Sequence, residues 1–442
     1  NGNIFARYIL NRMKLVYTDS GLFHEYYDGV WHSLDHNCLS RKLRKLLHEF
    51  VPDFWTERLE NIYMAVLKRE APYIKRLNPY RHYLNLKNGI LNLKTFDFRP
   101  QHNPKLYSSV QLSIDYDEDA VCPKFDDFLL SIFEGDKQLI KVVYEIMGYC
   151  LTSDTNAQEA FFFYGQGSNG KSLLADIILN LCGPQNASAI PLEDLQNPFN
   201  RYELVDKLVN ISTENEFSSA GLNTAHFKAI VSGDPIQVER KFEQSFTYRP
   251  FCKLIFSLNT LPYSRDKSWS FQRRLIVIPF NRTFRQTDAD YKNYTKLRTD
   301  LLNELPGILN RSLQALKRLR KNRYVFSYSE AIEKLQTEYK HVLNPYSQFV
   351  AEMIEQGNTT DKISNDTMHR VFEEWCFANG HKKLASGSHL KRLIEIKNAL
   401  KDAKIDFGSG KGHKSGGKRH IGYIQWKTKN RLEVDDIAEM ED

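Results

Sequence analysis

Residues 161–172 read FFFYGQGSNGKS. The first four, Phe161 to Tyr164, are an apolar run short enough for a buried strand. The other eight (Gly165, Gln166, Gly167, Ser168, Asn169, Gly170, Lys171 and Ser172) match the phosphate-loop pattern G-x-x-x-x-G-K-[ST]. Leu173, Leu174, Ile177, Ile178 and Leu181 follow at helical spacing. A strand that runs through a glycine-rich turn into a helix aims backbone N–H groups and a helix N-terminus at one point, and that point binds phosphate. Lys171 is placed to reach the β- and γ-phosphates of a nucleotide, and Ser172 to offer a hydroxyl to Mg²⁺. The alternative is a chance glycine-rich turn, and the flanking strand and helix weigh against it.

Working outward, apolar β-rich stretches recur at Phe161 to Tyr164, Leu208 to Ser212 and Leu254 to Leu258, separated by helical or polar connections. The economical reading is an α/β fold with a parallel core. Ligand sites in such sheets lie at the C-terminal ends of the strands. Glu214 and Glu216 follow the second stretch and are candidates to hold the metal and to polarise an attacking water. Asn259 follows the third, where a neutral amide can bond both that water and the terminal phosphate. Arg273 and Arg274 precede Leu275 to Ile278, and an always-ionised guanidinium suits transition-state charge; a surface pair flanking a strand is the plainer reading. Between the carboxylates and Asn259, the alternation of Ile236 and Val238 with Phe246 and Tyr248 predicts a hairpin carrying Arg240 and Lys241. A cationic hairpin in a nucleotide-driven core can touch a phosphodiester backbone.

The chain has 442 residues, 41% hydrophobic and 26% charged, which fits a globular protein of several domains. No apolar run approaches the length of a membrane span, the first 30 residues lack a secretory pattern, and a cytoplasmic location is expected. Six scattered cysteines without a C-x-x-C pair argue for neither zinc nor a disulfide framework. Net charge is +7, and its distribution is uneven. From His381 to Asn430, thirteen lysines and arginines, among them Arg392, Lys411, Lys414, Lys418 and Arg419, face three acids, Glu395, Asp402 and Asp406. An acidic tail follows. Such a segment is either a surface for nucleic acid or a solvated basic face.

Hairpins are predicted around Asp28-Gly29 and Asn88-Gly89, with a basic helix between them, and a helical lead-in over Phe125 to Leu151. One long helical block is expected over Leu301 to Leu319. Near the end, helical patterns at Tyr346 to Ile354, Thr367 to Ala378 and Leu390 to Leu400 precede a glycine- and lysine-rich turn, Gly408 to Gly417, and a strand, Ile421 to Trp426. That order fits a winged helix or, failing that, helices with a surface loop. Three domains follow from this reading: an N-terminal α+β domain over 1–124, a helical lead-in with the nucleotide core over 125–340, and a basic winged-helix-like domain with the acidic tail over 341–442.

The order GQGSNGKS, NISTENE, FKAIVSGDPIQVERK, KLIFSLNTLP and FQRRLIVIPF resembles the superfamily 3 helicases, and within them the replicative primase-helicases of phages and plasmids. NGILNLKT (88–95) and YDEDAVCPKFDDFL (116–129) resemble the domain preceding that family's core. The resemblance implies an AAA+-like P-loop core that binds ATP and Mg²⁺ and assembles as a homo-oligomeric ring, usually a hexamer, with ATP between neighbours. It places Gly165 to Ser172 in the Walker A loop, with catalytic Lys171 and metal-binding Ser172. It puts Glu214 at the Walker B carboxylate with Glu216 as a second, Asn259 at the polar sensor, and Arg273 or Arg274 as the finger reaching the adjacent site. Arg240 and Lys241 fall on the hairpin that tracks single-stranded DNA, and Lys411, Lys414, Lys418 and Arg419 become C-terminal DNA contacts. The function implied is an ATP-dependent helicase of a mobile element, moving 3′ to 5′ on single-stranded and forked DNA. The family's N-terminal primase domain is not among these residues, so primer synthesis is not expected. The competing reading is an initiator that binds origin duplex by sequence and uses ATP as an assembly switch. A small-molecule phosphotransferase would explain neither Lys241 nor the basic end.

Overall fold

Phe161, Phe162 and Phe163 are all fully buried, so the strand that carries them is covered on both faces. In the computed structural model this strand, Ala160–Tyr164, lies inside a five-stranded, wholly parallel sheet. The structure describes residues 2–49, 51, 54–213, 215, 224–240, 245–262, 266, 269–285, 287, 293–379, 384, 388–408, 413–415 and 418–427. The sheet strands are numbered in chain order: β1 Ala160–Tyr164, β2 Ala187–Ser188, β3 Val209–Ser212, β4 Lys253–Leu258 and β5 Leu275–Pro279. Across the sheet they run β5-β1-β4-β3-β2. The phosphate-loop strand therefore has β4 on one side and β5 on the other, and β4 separates it from β3. The predicted strands are present and parallel, whereas the two-residue β2 carries too little apolar sequence to have been seen.

Alternate residues of β1 pack into different layers. Phe162 meets Phe256 and Phe227 edge-on, at centroid distances of 5.9 and 6.4 Å. Phe161 and Phe163 point the other way, into a core shared with helices Pro123–Ile132, Lys137–Cys150, Lys171–Cys182 and Leu305–Lys321. Lys137–Cys150 and Leu305–Lys321 pack so closely that Gly148 abuts the Ser312 carbonyl, leaving no room for a side chain. Buried Glu145 accepts from Arg318 Nε at 2.8 Å and from the Ser327 backbone N–H and hydroxyl at 2.7 Å. Arg318, near the end of that helix, is thus spent on packing.

The expected single helix over Leu301 to Leu319 is two, Tyr294–Leu302 and Leu305–Lys321. Pro306 stands in the first turn of the second, where a residue without an N–H is tolerated, and it cannot continue the first. Glu304 at the break accepts the backbone N–H groups of Lys124 and Phe125 at 3.1 and 2.9 Å, capping the lead-in helix.

Ahead of this core, Leu15–Thr18, Phe23–Tyr27, Val30–Leu34 and Tyr73–Ile74 form a four-stranded sheet. Helices Gly2–Arg12, His36–His48 and Glu57–Glu70 share its apolar core. Tyr83–Leu86, Gly89–Asn92 and Phe98–Arg99 make a second small sheet. Both predicted hairpins are present. The chain divides into two compact units, Asn1–Leu335 and Gln336–Asp442.

In the second unit, helices Pro345–Met353, Asn365–Ala378 and His389–Asp402 surround Phe349, Phe372, Ile396 and Leu400. The expected strand Ile421 to Trp426 is two strands, because Tyr423 adopts a left-handed backbone at φ 59°. Lys418–Gly422 pairs with Lys362–Ser364 and His413–Ser415, and Ile424–Trp426 pairs with Ile354–Gln356. The Tyr423 N–H donates to the Asp361 carbonyl at 2.7 Å, and its own carbonyl accepts from Gly357 at 2.9 Å, which fixes the kink.

Candidate functional site

The loop after β1 forms because glycine occupies the position where no side chain fits. Gly170 lies at φ 85° and caps helix Lys171–Cys182, and a Cβ there would come within 2.6 Å of Ile132 Cγ2. Gly165 abuts the Phe280 carbonyl at the end of β5. Asn169 braces the turn from inside, its amide donating to the Gln166 carbonyl and its oxygen accepting the Lys171 N–H at 3.3 Å. The Phe284 N–H reaches the Ser168 carbonyl at 2.7 Å, so the segment after β5 closes the loop's far side.

Lys171 is only 6% exposed. Its Nζ donates to the Gly165 carbonyl, to the Leu258 carbonyl at 3.2 Å and to Asn259 Oδ1 at 2.9 Å. No ion pair reaches it among the described residues, and burial lowers its pKa. Its charge is met only by neutral acceptors, so an anion that enters beside it gains a favourable partner. Gln166 Nε2 donates to the Asn259 carbonyl at 3.3 Å, a second tie between the loop and the residue after β4.

Lys171 and Asn259 border a cavity of about 590 Å³ at the C-terminal ends of the strands. Gly167 to Ser172, Thr213, Ser257 and Asn259 form its polar side, and Phe128, Phe284 and Leu297 its apolar side. One end suits phosphates and the other a flat apolar ring. The fit to a Mg²⁺-nucleotide rests on the Gly170 cradle, the anion-demanding Lys171 and the Ser172 hydroxyl on the cavity wall. Glu214 and Glu216 lie outside the described residues.

The sequence reading missed Asn215 as anything but a spacer. Its amide donates to the Ser212 and Ser257 carbonyls at 3.1 Å each, and its oxygen accepts the Leu192 N–H at 3.1 Å. It therefore pins the ends of β3 and β4 where the flanking carboxylates are attached. Arg282 was also missed: it donates to the Ser131 carbonyl at 3.0 Å and lies over the Phe284 ring, 4.4 Å from its centroid. No local pattern marks either residue, because Leu192 and Ser257, which Asn215 bonds, and Ser131, which Arg282 bonds, are distant in sequence.

Arg273 and Arg274 sit at the other end of the sheet. Leu275 pairs with Ala160 and Pro279 with Tyr164, so both arginines precede β5 while the phosphate loop follows β1. A five-residue strand separates them from their own loop by roughly 16 Å. Arg274 is buried, with Nε and Nη2 on Ser232 Oγ at 3.1 and 2.9 Å and Nη1 on Ser270. Arg273 is only half-buried and donates to Gln158 Oε1 at 3.0 Å.

The predicted hairpin pairs Ile236–Val238 with Phe246–Tyr248. Arg240 lies over the Tyr202 ring at 5.3 Å, and Lys241 lies outside the described residues. Buried Arg201 supports the hairpin base, donating to the carbonyls of Gln237, Leu195 and Gln196. In the second unit, Arg392 was counted with the basic surface but is 2% exposed and bonds Glu373 at 2.8 Å. It faces inward because its helix turns that side to the core. Lys414, Lys418 and Arg419 have their backbone in the terminal hairpin, with side chains outside the described ones, and Lys411 lies outside entirely.

No described helix is long and apolar enough to cross a membrane. Residues 2–134 match the family described as D5 N terminal like, and residues 163–274 match a family of unknown function, DUF5906. The chain is 23% identical over 355 residues to "Putative helicase L207/L206" of Acanthamoeba polyphaga mimivirus, covering 75% of this chain and 37% of that protein. It is 24% identical over 166 residues to the DNA Primase-polymerase of Nitratiruptor phage NrS-1, covering 37% of this chain and 23% of that one. The chain thus spans well under half the length of these relatives. The NrS-1 C-terminal region has the same fold at a TM-score of 0.55 and 14% identity, over 95% of this chain and 98% of that one. Together these matches support a phage- or virus-type replicative helicase-primase-like family for a mixed α/β chain built on a parallel sheet.

Proposed function

We propose that this chain is the ATP-driven motor of a viral or mobile-element DNA helicase, with an AAA+-like core of the superfamily 3 type. The observation that carries the reading is Lys171, buried at the mouth of a nucleotide-sized cavity and held only by neutral oxygens of the loop, of β4 and of Asn259. The sheet order, with β4 between the loop strand and β3, supports the same reading: Asn259 at the end of β4 then stands beside the loop, and the Glu214 attachment point stands one strand further. ATP with Mg²⁺ would supply the phosphoryl group whose transfer to water drives the motor.

On this reading the backbone N–H groups of Gly167 to Lys171 and the Lys171 ammonium bind the phosphates. Ser172, with Glu214, would hold the metal. Glu214 or Glu216 takes the proton of the attacking water, and Asn259 orients that water and exchanges its Lys171 contact for phosphate. Because Arg273 and Arg274 are too far from their own loop, an arginine that acts on phosphate does so on a neighbouring chain's, in keeping with a ring, a hexamer by resemblance. Arg274 is committed to Ser232 and Ser270, so the finger is Arg273. Arg240 and Lys241 engage single-stranded DNA and move 3′ to 5′. The second unit, three helices with a strand order that ends in a basic hairpin, is read as a winged helix that contacts duplex.

An ATPase and unwinding assay on forked DNA tests the reading. The chain should hydrolyse ATP and displace the strand, and Lys171→Ala should lose both by at least about 100-fold. Unimpaired hydrolysis in that variant overturns the motor assignment. The basic terminal hairpin, in a compact unit of its own, favours a second reading, an origin-binding initiator. Tight sequence-specific duplex binding without strand displacement would select it.

A further inference from the structure

A second cavity, about 570 Å³, lies on the first unit away from the phosphate loop. One wall comes from the N-terminal sheet region, through Lys75, Arg76 and Arg81. The other is the return strand of the core hairpin, Phe246–Tyr248, with Arg249 directly after it. All four cations are exposed, and none makes an ion pair or a side-chain hydrogen bond among the described residues. The cavity floor, by contrast, is fully engaged. Asn78 and Asp206 both adopt left-handed backbone, at φ 53° and 58°, and meet through an Asn78 Nδ2 to Asp206 Oδ1 bond of 3.2 Å. Asn78 also bonds Ser109 twice, at 2.7 and 2.9 Å, and the Asp206 N–H donates to the Tyr248 hydroxyl at 2.8 Å.

The charge balance favours an anion. Against the four cations stand Asp19 and Asp206, and burial pushes the Asp206 pKa up to about 6. His24 on the same wall is held neutral, its pKa lowered by burial to about 4. The cations are carried by side chains spread over two walls, with neither a glycine-rich turn nor the N-terminus of a long helix to clamp a terminal triphosphate. That distribution matches a polyanion with regularly spaced single charges.

We propose that this cleft binds the sugar-phosphate backbone of a nucleic-acid single strand through Lys75, Arg76, Arg81 and Arg249. The strand is gripped at the base of the same hairpin whose other arm leads to Arg240, so the hairpin and the N-terminal region hold it jointly. The identity of the ligand rests on the motor reading above; the anion-binding cleft does not.

The test is fluorescence anisotropy of a labelled oligothymidylate titrated with the full chain, without nucleotide, over a salt series. The doubly reversed variant Arg76→Glu/Arg249→Glu and the milder Arg76→Ala/Arg249→Ala are compared with wild type. Affinity should fall at least about tenfold for the reversal, and the log–log salt slope of the alanine pair should drop by about 1.4, or about 0.7 per lost single-strand phosphate contact. Both side chains are exposed and unpaired, so thermal unfolding should stay within about 2 °C of wild type. Unchanged affinity and slope in both variants overturns the proposal. Displacement of the oligonucleotide by free nucleoside triphosphate, with equal binding of short and long oligonucleotides, overturns the strand in favour of a mononucleotide. Lys171→Ala in the same assay should bind normally. Should that variant keep its ATPase, the motor reading falls while the cleft result still stands on its own.

Discussion

Two cations are buried at opposite ends of one parallel sheet: Lys171, 6% exposed, after β1, and Arg274, 8% exposed, before β5. Burial lowers the pKa of both, and neither forms an ion pair among the described residues. Their acceptors differ. Lys171 and its acceptor Asn259 border a nucleotide-sized cavity, while Arg274 spends its guanidinium on Ser232 and Ser270 inside the fold. A buried cation is therefore no functional sign in itself. What separates the two is whether its partners also wall a space that an anion can enter.

The largest effect that would break this comparison is on activity. Lys171→Met keeps the length and loses the charge, so ATP hydrolysis should fall by at least about 100-fold. Stability should hold or rise, because a desolvated ammonium is removed. A markedly lowered melting temperature with partial activity would make Lys171 structural, like Arg274.

The next effect is on stability. Arg274→Ala removes the bonds to Ser232 and Ser270 together with buried packing, and should cost about 2–4 kcal/mol by chemical denaturation. Arg273→Ala should cost less than about 1 kcal/mol yet lose ATPase in the assembled protein. Equal losses of stability would erase the distinction between the neighbours.

That distinction was illegible in the sequence, where Arg273-Arg274 is a pair flanking a strand and neither position is favoured. The loop was legible because its chemistry is local: eight consecutive residues place the N–H groups, the lysine and the hydroxyl. The parallel strands were legible for the same reason, since β1, β3 and β4 are short stretches dominated by apolar, β-favouring residues. Asn215, Arg201 and Arg282 were not, because each bonds at least one carbonyl far away in the chain: Ser257, Gln237 and Ser131. The kink at Tyr423 was hidden too, since an aromatic residue gives no sign of left-handed backbone. Arg392 misled for the opposite reason: its residue type announces a surface, and only the helix register shows that it points inward.

The smallest effect concerns the group that stands beside Arg273. Glu159 immediately precedes β1, its Oε2 has no hydrogen-bond partner among the described residues, and burial raises its pKa to about 8 despite the opposing charge of Arg273. At neutral pH the folded chain then holds a proton there that the unfolded chain has released. Stability from this group is complete below the ordinary carboxylate pKa and is lost as pH rises through about 8. Glu159 is partly exposed, so the contribution is small, about 1 kcal/mol. Between pH 6 and pH 9, wild type should therefore lose about 2 °C more in melting temperature than Glu159→Gln, which cannot ionise. Matching pH profiles would mean that Arg273 already neutralises an ionised Glu159. In that case Arg273, like Arg274, would be held within its own subunit, and the finger assignment would lose its ground.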